Sequence, residues 1–256
     1  MNTMKDKTAL AYVNMFAILG AIPELCRIDE KAGELIKDSK ISLGFSVKGG
    51  PCATLIFKDG ACSIKKGLQA PTVLLPFSSP EKFNGMIDGT VTPIPSKGFL
   101  HLGFLLKKFT AITDILESYL RPDASKLASD EEFYRASTVL MLGVIARAVC
   151  ALGNHDKVSR ASASYIVDGN IRISIADVAS ATVNAKNGTL RYVMGEQKQA
   201  VTSYMEFKDV KTARQLFDGE LNAVAAVGMG DVRIGGMVSQ VDNVNRILDR
   251  VAYYLV

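Results

Sequence analysis

Only two histidines, His101 and His155, occur in the 256 residues, and the four cysteines, Cys26, Cys52, Cys62 and Cys150, form no CxxC pair. Clustered Cys and His of the kind that hold a metal are therefore missing, and a Cys–His catalytic couple would have to recruit one of those two imidazoles. No GxSxG, HExxH, Walker sequence or helix with paired carboxylates is present, so the common hydrolytic and phosphate-transfer chemistries have no motif to start from. Lys65-Lys66 and Lys107-Lys108 are the sole adjacent basic pairs in a chain of net charge +4, too sparse a cationic surface to track a phosphate backbone. Nucleic acid is thus not an expected partner. Unpaired thiols fit a reducing, cytoplasmic setting, and a strand cysteine such as Cys62 reads first as a small buried hydrophobe.

Long hydrophobic runs are short of what a bilayer demands. Ala9 to Ile22, with Asn14 its one strongly polar side chain, and Ala136 to Leu152, interrupted by Arg147, each fall below the ~20 apolar residues that a spanning helix needs. The first imitates a secretory signal. The second has the same character in mid-chain, and Met15 to Cys26 lies on Val139 to Cys150 without a gap, so both read as the first helix of one half. Being apolar nearly all round, each belongs in a core or in an interface with a second copy of the chain. Docking on a membrane surface is the alternative, and stable insertion is not expected.

What the chain does have is 48% hydrophobic residues and a repeat. Asp209 to Gly236 reads as a capped helix, a Gly219 stop, a short apolar helix from Leu221 to Val227, and a strand at Asp231 to Ile234. Pro80 to Gly103 carries the same parts: a helix with Phe83, Met86 and Ile87, an Asp88-Gly89 stop, and a strand from Phe99 to Leu102 with His101 facing outward. Gly98-x-Leu-x-Leu-Gly103 stands beside Gly230-x-Val-x-Ile-Gly235. Lys58-Asp59-Gly60-Ala61 and Lys186-Asn187-Gly188-Thr189 are matching two-residue hairpin signals. Four β-prone segments precede the motif in each half: Ile41 to Lys48, Ala53 to Lys58, Ala61 to Lys66 and Thr72 to Phe77, then Asn170 to Ile175, Ala181 to Ala185, Thr189 to Met194 and Val201 to Glu206. Pro23 kinks or restarts the first helix. Ser129 caps the long helix of the second half in a capping box with Glu132, and residues 121–127 form the linker. The expectation is an α+β protein of two repeated domains, 1–122 and 128–256, each a mostly antiparallel five-stranded sheet covered by helices.

The glycines and aliphatics of this repeat resemble the C-terminal signature of the sterol carrier protein type-two family. The second half supplies Gly219, Leu221, Asn222, Gly230, Val232, Ile234 and Gly236, with Ala223 where that family has proline. The first half keeps Pro93, has Thr92 at the asparagine position, and closes one residue early at Gly103. The resemblance implies small α/β domains that carry lipids in an apolar tunnel. Its expected consequence is non-catalytic binding or transfer of a fatty acid, acyl chain or sterol-like lipid in a slot between sheet and helices, with no cofactor. Candidate walls are Phe217, Leu221, Val224, Val227, Met229, Met237 and Val241 in the second half. In the first they are Phe83, Ile87, Val91, Ile94, Phe99, Leu105 and Phe109. For any one of them ordinary core packing is the plainer reading. The competing function is a sealed structural module that assembles through its apolar first helices.

Overall fold

A computed structural model describes residues 5–194 and 200–255. The chain divides into two compact units, Met1–Asp123 and Ala124–Val256.

In the first unit one helical run extends from Lys7 to Ile28. It comprises α1 (Lys7–Val13), a π turn (Asn14–Ile18), a 3-10 turn (Leu19–Ala21) and α2 (Ile22–Ile28). Asp6 caps it by accepting from the Thr8 and Ala9 N–H groups at 2.9 and 3.2 Å. Pro23 falls in the first turn of α2, where its missing N–H has no partner to lose, so the run changes pitch and continues. Asn14, the one strongly polar side chain between Ala9 and Ile22, is satisfied in the interior. Asn14 donates to Asn84 Oδ1 at 3.1 Å, and Asn84 donates back to the Lys7 carbonyl at 2.9 Å. That pair joins α1 to α4 (Pro80–Ile87), past α3 (Glu30–Ile36) and the four strands.

The strands β1 (Ile41–Val47), β2 (Cys52–Lys58), β3 (Ala61–Lys66) and β4 (Val73–Phe77) lie in the order β3-β2-β1-β4, with β1 and β4 parallel. Asp59 and Gly60 both have positive φ, 52° and 74°, as a type I′ hairpin requires. Leu43, Phe45, Leu55, Phe57, Val73 and Leu75 form the buried face. The expected fifth strand at Phe99 to Leu102 does not form. Phe99–His101 is a 3-10 turn that runs through a π segment (Phe104–Phe109) into α5 (Thr110–Leu120), and His101 is exposed there rather than in a strand. What remains of the strand is one bridge, Leu74 to Lys97. Leu74 donates outward to the Lys97 carbonyl, so Pro76, two residues on, faces the same edge without an N–H to offer; Pro93 and Pro95 remove two more donors from the incoming segment.

The second unit opens with α6 (Ala124–Ser129), which occupies part of the expected linker, and α7 (Glu131–His155). Asp130, not Ser129, caps α7, accepting from the Phe133 N–H at 2.9 Å; the Ser129 hydroxyl is turned back onto the Ser125 carbonyl. The polar stretch after α7 forms a further helix, α8 (Lys157–Ser164). The strands β5 (Gly169–Ile175), β6 (Ala179–Lys186), β7 (Thr189–Met194), β8 (Ser203–Phe207) and β9 (Val232–Gly236) are ordered β7-β6-β5-β8-β9, with β5 and β8 parallel. Asn187 and Gly188 have φ of 51° and 68°. Helices α9 (Val210–Phe217), α10 (Ala223–Met229) and α11 (Val238–Leu255) complete the unit.

Helix α7 lies on β5, β6 and β7. Its Gly153 admits the Leu190 side chain, and Asn154 takes both free backbone groups of Leu190, donating to the carbonyl at 2.7 Å and accepting from the N–H at 2.9 Å. The outer edge of β7 is closed there. Arg147, the charge within the apolar run, is buried with its guanidinium 4.2 Å from the Tyr192 ring centre. Lys7–Ile28 and Glu131–His155 are both long and apolar enough to cross a membrane, and most of each is buried inside the protein.

The fold is α+β, with one four-stranded and one five-stranded mixed sheet. Its register also revises which glycines correspond. Gly98 (φ 87°) packs against the Thr72 carbonyl and the Val73 Cα, and Gly236 (φ 96°) packs against the Thr202 carbonyl and the Ser203 Cα. Val73 and Ser203 hold the same register place beside Leu43 and Ile171. Gly98 therefore matches Gly236, not Gly230.

Candidate functional site

The helix-bearing face of the second sheet is defined residue by residue. Along β8, Ser203, Met205 and Phe207 alternate with Tyr204 and Glu206, and they pair with Gly236, Ile234 and Val232 of β9. Phe207 meets the Phe217 ring edge-on at 5.4 Å, which sets α9 over one end of this row. At the other end Ser203 donates to the Gln240 side chain and accepts from the Met237 N–H at 2.9 Å, which anchors the start of α11. Gln240 also bonds Thr202 and, at 2.8 Å, the Val167 carbonyl, and the Ser203 and Gln240 side chains are both buried.

Between these two anchors lies the cross-strand pair Met205–Ile234. Met205 is half-buried and Ile234 is 38% exposed. The result is an apolar strip, partly open to solvent, between Phe217 of α9 at one end and Met237 at the head of α11 at the other.

The sequence-predicted walls divide sharply. In the second unit Phe217, Leu221 and Val241 are half-buried; Val224, Val227, Met229 and Met237 are exposed, Val224 at 82%. Phe217, through Phe207, and Met237, through Ser203, are tied to the ends of the strip, whereas α10 turns inward only Ala226 and presents Val224 and Met229 to water. In the first unit Phe83, Leu105 and Phe109 are buried. Phe83 lies 5.2 Å from Phe77 and 6.4 Å from Phe45, and Phe109 lies 6.1 Å from Phe45, an aromatic cluster that fills the space under α4. Ile87 and Val91 are half-buried, and Ile94 and Phe99 are exposed. Met205 and Ile234 are the strip residues that the reading of helices overlooked. Their signal was the period-two alternation of the two strands.

A concavity elsewhere in this unit, open and about 590 Å³, is lined by Tyr165, Val238, Ser239, Asp242, Asn243 and Arg246, with Arg246 paired to Asp242 at 3.1 Å. The thiols belong to packed regions. Cys26 of α2 and Cys62 of β3 share a hydrogen bond that lowers Cys26 and, with burial, pushes Cys62 up; burial also pushes the Cys150 thiol up. Among the described residues no three His, Cys, Asp or Glu side chains cluster to hold a metal.

The sequence matches no protein family profile. It matches no curated protein either. Among solved structures the chain is similar to a UbiJ-SCP2 ubiquinone synthesis protein, at 14% identity and a TM-score of 0.35, covering 45% of this chain and 93% of that one. It is similar to a sterol carrier protein 2 at 17% identity and a TM-score of 0.34, covering 43% and 92%. An inverting sec-alkylsulfatase from Pseudomonas sp. matches at 11% identity and a TM-score of 0.26, covering 59% of this chain and 28% of the enzyme.

Proposed function

We propose that the protein binds or transfers an apolar small molecule, a fatty acid, acyl chain or sterol-like lipid, along the β8–β9 strip of its second unit, without catalysis and in a reducing cell interior. The first unit is a packed scaffold. One observation carries this reading: Leu75 and Met205 hold the same register place, beside Phe45 and Ile173, yet Leu75 is fully buried while Met205 is left half-open between α9 and α11. Equal positions in two related sheets have been filled in one and left available in the other.

We further propose that the two units descend from one duplicated sterol-carrier-like domain. Support comes from the shared strand order through four strands, the two type I′ hairpins, the Ser79 and Asp209 caps, and the Gly98–Gly236 match.

Native mass spectrometry of protein purified without detergent, followed by organic extraction, tests the carrier reading. A stoichiometric acyl or sterol-like species at one copy per chain is expected. An empty protein that also fails to bind a fluorescent fatty acid would sink it. The second reading, an interaction module, is favoured by the exposure of Val224, Met229 and Val238 at 82%, 64% and 81%. It predicts a stable oligomer in light scattering that dissociates in Val224→Glu.

A further inference from the structure

The helical edge of the first unit exposes a second apolar surface of different character. Ile94, Phe99, Leu100 and Leu106 are 76%, 60%, 98% and 69% exposed, and Leu102 is 36% exposed. Leu102 and Leu106 are one turn apart and both exposed, while Leu105, Phe109 and Ile112 are buried. A leucine that keeps 98% of its area in water stands proud of its surroundings, which is the shape of an insertion tip and not of a peptide-binding groove.

Along this segment, between Asp88 and Asp114, the charge has one sign. From Gly89 to Thr113 there is no Asp or Glu, while Lys97, Lys107 and Lys108 lie within it. Lys97 is tied to the Pro71 carbonyl at 3.0 Å, and neither Lys107 nor Lys108 forms an ion pair with a described residue. Apolar side chains that reach into an acyl boundary, with lysines beside them in the chain, are complementary to an anionic bilayer: the chains bury area and the ammonium groups meet phosphate and carboxylate.

We infer that residues 94–108 form a peripheral docking surface for anionic phospholipid membranes. The surface touches the bilayer without spanning it, and it is separate from the β8–β9 strip, so its operation does not depend on what that strip binds. It assigns Ile94 and Phe99 to a membrane contact in place of a ligand wall.

The test is flotation of the full chain with phosphatidylcholine vesicles, with and without phosphatidylserine. Binding is expected only with phosphatidylserine, and it weakens as salt rises. Lys107→Ala/Lys108→Ala lowers the partition coefficient roughly 30-fold, taking ~1 kcal/mol per lysine near such a surface. Leu100→Asp lowers it at least about tenfold, and the exposure of that side chain leaves the thermal midpoint unchanged. Wild-type protein that ignores phosphatidylserine overturns the inference, as does a Leu100→Asp protein that binds as well as wild type. Self-association lost in Leu100→Asp without any vesicle binding also overturns it, and would make this edge an interface between copies.

Discussion

Asp156, at the joint between α7 and α8, accepts a hydrogen bond from the Tyr254 hydroxyl at 2.9 Å, 98 residues further along the chain. The same carboxylate caps α8 through the Ser159 N–H and hydroxyl, both at 2.9 Å, and pairs with Arg250 at 3.2 Å. One buried side chain thus holds the last helix of the unit against the joint between α7 and α8.

Burial pushes Asp156 up, but the bonds from Ser159, Arg250 and Tyr254 outweigh it and hold the carboxyl below its ordinary value. A depressed folded pKa gives stability that is complete above the unfolded value of about 3.9 and is lost as pH falls through the folded one. The urea midpoint of the second unit is therefore expected to drop as pH is lowered below about 4, and Asp156→Asn to flatten that limb. Asp156→Ala leaves Arg250 unpaired and α8 uncapped, and should cost about 3 kcal/mol near neutral pH.

Gly98 and Gly236 pair a positive φ with backbone contact, so an added Cβ has nowhere to go. Gly98→Ala and Gly236→Ala are each expected to destabilise their own unit by more than about 2 kcal/mol. Gly89 and Gly219 also have positive φ, but with open space around them, and alanine there should cost nearer 1 kcal/mol. Denaturant titrations of the four variants check the order.

Phe83→Ala removes the ring that meets both Phe45 and Phe77. A loss of about 3–5 kcal/mol is expected in the first unit. Because two units unfold in one chain, the transitions must be followed separately, and that of the second unit should stay in place.

Ile234→Glu places a charge in the strip at a side chain already 38% exposed. Fluorescent fatty-acid affinity should fall at least about tenfold with the fold retained. Phe99→Ser, in the other unit, should leave that affinity unchanged, and a loss there would contradict the assignment of binding to the second unit.

The elements that local chemistry dictates were legible. Asp59-Gly60 and Asn187-Gly188 demand two successive positive φ values, and both hairpins formed where that demand was written. Asp209 capped its helix as expected, and Ser79 does the same for the matching helix of the first unit. The strand expected at Phe99 was read from undisturbed alternation; Pro93 and Pro95 were visible just before it, but Pro76, on the facing strand, becomes a neighbour only after folding. Ser129 lost its cap to Asp130 for a related reason. The preceding residues fold into α6, and the serine hydroxyl then bonds within that helix.

Leu100 and Leu105 stand in one run, GFLHLGFLLKKF, with the same side chain and nearly the same neighbours in sequence. The sequence alone established that both are apolar and that acids are missing around them, and its alternation put Leu100 in a strand that did not form. Only the packed structure made Leu105 part of the core and left Leu100 98% exposed. Apolar area is favoured to leave water wherever it can, but which side chains can do so depends on the direction each takes from its helix and on what lies opposite. The same holds for Leu75 and Met205: pattern placed both on the inner faces of their sheets, and the helices beyond decided which would be covered.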